Sequence, residues 1–181
     1  MTGRMLIAGI GNIFLGDDGF GPEVAKRLGA MDLPGWVRVA DYGISGMHLA
    51  YDLADGYDAA ILVDAAPRGD KPGTVTVLDA TAERRPDAGP AGEAIGASRL
   101  FDAHGMQPDV VLGVLDMLGA GSARVLVVGC EPASLDYGME LSEPVAKAVD
   151  AAVGVVMDLI AEADAARSSG EGASHVSRHP R

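Results

Sequence analysis

The stretch "MLIAGIGNIFLGDDGFG" (Met5–Gly21) leads a six-residue apolar run into a glycine-rich loop. Such a run is too short for a helix and suits a strand covered on both faces. Comparable runs follow at "VRVADY" (37–42), "AAILVD" (59–64) and "RVLVVGC" (124–130). Between and after them, apolar residues at helical spacing predict helices over 18–30, 45–55, 107–118 and 142–167. The recurring order strand, helix, strand implies an α/β fold on a mostly parallel sheet. "GTVTVLDA" (73–80) alternates, and it follows Asp64 too closely for a crossover helix. It is therefore expected as an antiparallel edge strand, which makes the sheet mixed and five-stranded.

The 181 residues suffice for one core and contain a lone cysteine, Cys130, which excludes an internal disulfide. Cys130 ends an apolar strand and reads as a buried structural thiol. With 26 acidic against 14 basic residues, the net charge of -12 disfavours nucleic acid and anionic membrane as partners. No secretory signal or bilayer-length apolar run is present, so a cytoplasmic location is expected. A single domain over 1–167 is followed by "SSGEGASHVSRHPR" (168–181), whose composition predicts a disordered tail. Residues 81–103 read as a long loop, a common location for function.

In an open parallel sheet, ligands bind beyond the carboxyl ends of the strands. Asp17 and Asp18 follow the first strand, Asp41 closes the second and Asp64 the third, while His104 lies between the long loop and a helix. The loop mimics two phosphate-binding patterns and satisfies neither. Phe14 stands where a dinucleotide fingerprint needs its third glycine. After Gly11 and Gly16, Asp17 and Asp18 replace the lysine and hydroxyl residue of a phosphate loop. A carboxylate pair with glycines and an imidazole suits a cation instead, held at roughly 2 Å. No nucleotide or organic cofactor is expected. The plain alternatives are that Asp17 and Asp18 cap a helix and that Asp41 and Asp64 merely end strands in turns. Both roles can hold within the pair, one residue capping the helix, worth about 0.3–1 kcal/mol, and the other pointing into the cleft. His48, inside the second helix, reads as a surface or packing residue.

Taken together, "GIGNIFLGDDGFG" (9–21), "ADYGISGM" (40–47), "ILVDAAPRG" (61–69), "DAHGMQPDVVLGVLDML" (102–118) and "VVGCEPASLDYGMELSEPV" (127–145) resemble the hydrogenase maturation proteases. These endopeptidases trim the C-terminus of the large subunit of nickel–iron hydrogenases. The resemblance covers residues 4 to about 160. It implies a three-layer α/β/α sandwich, metal-binding positions at Asp18, Asp64 and His104, and a further acidic residue involved in activity at Asp41, which leaves Asp17 expected as the helix cap. Some members carry Glu where this chain has Asp18. The implied partner is a nickel-loaded large-subunit precursor, processed by a monomer. The nickel would be the precursor's own, bridged by the carboxylate cleft. Two routes to hydrolysis stay open at this point: water activated by the metal, or Asp41 acting as general base on water.

Three other functions compete. A peptidyl-tRNA hydrolase also opens on a strand and a glycine–asparagine loop, but its Arg-His-Asn run is absent and the charge is unfavourable for tRNA. A nucleotide-binding module is opposed by Phe14 and the aspartate pair. An assembly chaperone would use the same cleft to check nickel loading without cleavage.

Overall fold

Strand β1 (Met5–Ile10) is buried at all six positions, as an uninterrupted apolar run requires. The computed structural model describes residues 3–80 and 124–171. Around β1 lie β2 (Val37–Gly43), β3 (Ala59–Ala65), β4 (Val75–Asp79) and β5 (Arg124–Cys130). Their order in the sheet is β2-β1-β3-β5-β4. Every pairing is parallel except that of β4 with β5, so the alternating segment is the antiparallel edge strand its pattern predicts.

The described helices are α1 (Phe20–Gly29), α2 (Gly46–Ala54) and α3 (Glu143–Glu171). On one face of the sheet, Ile7, Ile61, Val63 and Val128 pack with Phe20, Val24 and Leu28 of α1 and with Val149, Ala152 and Val156 of α3. On the other, Leu6, Ala8, Leu62 and Val127 meet Leu49, Ala50 and Leu53 of α2. The result is three layers, helix on sheet on helix. Among the described residues, no helix is long and apolar enough to cross a membrane.

Two helix boundaries differ from expectation. The first helix starts at Phe20, because Gly16–Gly19 form a separate 3-10 turn that contains both aspartates. The last continues to Glu171, so the first four residues assigned to a disordered tail are helical. Ser168 and Ser169 donate their hydroxyls to the carbonyls of Asp164 and Ala165, one turn back, at 3.1 and 2.9 Å. Arg167 anchors this end by stacking 4.4 Å over the Trp36 ring and donating to the Gly3 carbonyl. These contacts are invisible to a composition argument. The expected loop over 81–103, the helix over 107–118, His104 and the tail from 172 onward lie outside the described residues.

The glycines of the first loop serve close packing. A Cβ on Gly21 would sit 2.2 Å from the carbonyl oxygens of both Ile10 and Val63, so the first turn of α1 rests directly on the ends of β1 and β3. Both obstacles are backbone and cannot swing away. Gly21→Ala is expected to cost about 3 kcal/mol, the upper part of the usual overpacking range, in urea denaturation. A loss below about 0.5 kcal/mol would show that α1 can lift without penalty.

Candidate metal centre at the strand ends

The chain leaves β1 through Gly11, whose φ of 134° is open only to glycine. A Cβ there would lie 1.8 Å from the Asp18 carbonyl oxygen, so the loop folds back tightly on itself. The Asn12 N–H donates to Asp18 Oδ2 at 2.6 Å, and the Phe14 N–H donates to Asn12 Oδ1 at 3.0 Å. The Asp18 carboxylate is thereby held by its own loop, half-buried beyond the end of β1.

Asp64, next to last in β3, is 7% exposed. Strand alternation puts it on the face of Leu62, towards α2. Its carboxyl is pushed well above the usual carboxylate range by burial first and by the nearby Asp18 charge second, while a hydrogen bond from the Ala65 backbone opposes both. The fold thus brings together two of the three residues expected to bind metal. His104, the third, lies outside the described residues. Among those described, no three His, Cys, Asp or Glu side chains gather closely enough to hold a metal ion.

Asp41 takes a different place. It pairs with Gly9 across the β1–β2 ladder and follows Val39 in the alternation. Its Oδ1 accepts the Gly43 N–H at 2.8 Å, which shapes the turn out of β2. The exposed carboxylate borders a 690 Å³ cavity that also touches Ile13, Met139 and Leu141. It likewise borders a 420 Å³ cavity beside Tyr42 and His48. His48 is exposed on α2, in keeping with its surface reading.

Asp17 departs most from expectation, because its side chain caps no helix. It is 1% exposed and accepts four hydrogen bonds. Ala133 N–H, Ser134 N–H and Ser142 Oγ donate to Oδ2 at 2.7, 3.0 and 2.8 Å, and Ser142 N–H donates to Oδ1 at 2.6 Å. The carboxylate therefore ties the glycine-rich loop to the segment between β5 and α3. Backbone bonds run alongside it, from Gly16 N–H to the Gly138 carbonyl at 2.8 Å and from Gly138 N–H to the Phe14 carbonyl at 3.0 Å.

Glu131, which immediately follows β5, was missed in the sequence. Its buried carboxylate accepts the Arg68 and Gly69 N–H groups at 2.6 and 3.3 Å and fixes the loop leaving β3. The strand-end criterion that singles out Asp41 and Asp64 also applies to Glu131. Cys130 is a buried thiol as expected, pushed up to about 12 by burial and then by the charges of Asp17 and Glu131.

A three-layer α/β fold with two neighbouring carboxylates at its strand ends belongs to the class of open-sheet proteins whose ligands bind at that edge. Comparison narrows the class. The model of the family described as "Hydrogenase maturation protease" matches residues 22–159, a span that includes Asp41 and Asp64 and begins after Asp18. The chain is 33% identical to the hydrogenase expression/formation protein HupD of Rhodobacter capsulatus over 152 residues, covering 83% of this chain and 68% of that one. Among solved structures, a hydrogenase 2 maturation peptidase from a Thaumarchaeota archaeon matches with a TM-score of 0.65 and 32% identity over 87% of this chain and 98% of that one. The hydrogenase maturating endopeptidase HybD from E. coli matches with a TM-score of 0.71 and 25% identity, covering 88% and 93%. The chain belongs to the hydrogenase maturation protease family.

Proposed function

We propose that this chain is the endopeptidase that removes the C-terminal extension of a nickel-loaded nickel–iron hydrogenase large-subunit precursor in the cytoplasm. The observation that carries the proposal is the Asp18–Asp64 pair. Burial first and the Asp18 charge second raise the cost of ionising Asp64, and a cation relieves that cost. The oxygens of the pair, joined by a neutral imidazole from His104, would make a donor set suited to a borderline metal such as nickel. The nickel belongs to the precursor as part of the substrate. Its presence would neutralise the pair and fix where the precursor's C-terminal segment lies.

The rest of the chemistry falls to the chain's own groups. With Oδ1 of Asp41 engaged by the Gly43 N–H, Oδ2 is the oxygen that takes a proton from water as the water attacks the scissile carbonyl. The same proton then passes to the departing amine as the carbon–nitrogen bond breaks. Asp17 and Glu131 keep the surrounding loops in register and take no part in the reaction.

The test is mass spectrometry of nickel-loaded and nickel-free precursor after incubation with the protein. Loss of a C-terminal peptide from the loaded form alone is expected. His104→Ala should abolish that loss, whereas His48→Ala, exposed on α2 beside the smaller cavity, should slow it at most and still allow it. Binding of the loaded precursor without any loss of mass would make the protein an assembly chaperone.

A further inference from the structure

Among the described residues, strand β2 is an edge of the sheet, and no strand lies on one side of its backbone. In a parallel ladder, alternate residues of an edge strand turn their N–H and C=O groups inward and the others outward. Met5 N–H donates to the Trp36 carbonyl at 3.0 Å, and the register pairs Met5 with Val37 through Gly9 with Asp41. Trp36, Arg38 and Ala40 therefore point inward, while Val37, Val39 and Asp41 point outward. Val37 N–H is taken by the Pro34 carbonyl at 2.8 Å. No described residue bonds the outward backbone groups of Val39 and Asp41.

Natural edges are usually blunted by charged side chains, proline or a bulge; here the one charge is that of Asp41, and the register shift falls after it, between Gly9 and Ile10, so the pairing is regular through Val39 and Asp41. The open edge also ends at Asp41 itself, whereas the opposite edge, β4, is separated from β1 by two strands. The cavities of 690 and 420 Å³ share Ala40 and Asp41 in their walls. One lies against α1 and the loop at 139–141, the other against α2. Side chains of an added strand alternate between the two faces of a sheet, so successive residues would turn towards one cavity and then the other.

We propose that the outward edge of β2 at Val39 and Asp41 binds an extended segment of the processed polypeptide as an added β-strand, with alternate side chains entering the two cavities. The proposal rests on the endopeptidase reading and names where its substrate lies. Strand addition carries the scissile segment along the backbone of Asp41, the residue that takes the proton. Local charge limits the occupant. Lys26 and Arg27 both lie within 3.4 Å of Glu23, so Asp41 and Glu140 give the larger cavity a negative end. The segment should carry neutral or basic side chains there, in keeping with a chain of net charge -12.

Val39→Pro removes one outward N–H and leaves the inward ladder intact, a substitution edge strands tolerate. With nickel-loaded precursor as the probe, Val39→Pro is expected to lower kcat/KM at least tenfold, through KM, with kcat within about twofold. Val39→Thr, which keeps the N–H, should show a KM at least fivefold below that of Val39→Pro. A folded Val39→Pro protein with the KM of Val39→Thr would overturn strand addition while leaving the endopeptidase reading standing. If Val39→Pro does not fold, pulsed hydrogen exchange on the wild-type protein during turnover with excess precursor decides the matter. Slowed exchange at the Val39 and Asp41 amides is expected, and unchanged rates at both with ongoing cleavage overturn the proposal. A wild-type protein that cleaves no precursor removes both readings.

Discussion

Asp17→Asn is expected to cost about 3 kcal/mol or more in chemical denaturation, a large share of the stability of a typical domain. An asparagine in this place keeps one acceptor oxygen and sets an NH2 group against donors that both carboxylate oxygens now accept. Whichever way the amide turns, at least one buried backbone N–H loses its acceptor, and the bonds that survive lose their charge assistance. The helix-dipole role expected for this residue would cost only about 0.3–1 kcal/mol, so the two accounts differ several-fold. A loss under about 1 kcal/mol would mean that the backbone bonds from Gly16 and Gly138 hold the two segments together by themselves.

Asp64→Asn is expected to act in the opposite direction on stability while abolishing processing. The folded-state pKa of Asp64 is raised, so its contribution to stability is fully present below the unfolded-state value and is lost as pH rises through the folded-state value. At neutral pH the wild-type protein bears the cost of ionising or protonating this carboxyl, and asparagine bears none. In chelator, Asp64→Asn should therefore melt above the wild type at pH 7, with the gap closing as pH falls towards 4. A lower melting temperature for the variant at pH 7 would mean that the ionised carboxylate is a net structural asset and that the pair does not wait for a cation.

Adjacent aspartates with such different roles explain how far the sequence could be read. β1, β3 and β5 were legible because strands covered on both faces leave uninterrupted apolar runs. β4 was legible because its half-exposed edge leaves alternation and the short gap after Asp64 excludes a crossover. Asp18 and Asp64 could be paired because parallel strands deliver their ends to one edge. Asp17 could not be understood this way. Its partners, Ala133, Ser134 and Ser142, are more than a hundred residues away and offer mostly backbone N–H groups, which leave no mark in a sequence. The end of α3 escaped for a related reason, since Arg167 is anchored by Trp36 and Gly3 from the start of the chain.

If the Asp18–Asp64 pair engages the nickel of a hydrogenase precursor, as proposed, cutting of that precursor depends on the Asp18 carboxylate. Mass spectrometry of nickel-loaded precursor after incubation with the wild type and with Asp18→Asn, each checked by thermal melting, tests it most directly. A precursor shortened at its C-terminus by the wild type and left intact by a folded Asp18→Asn protein is expected. Processing by Asp18→Asn at the wild-type rate would contradict it.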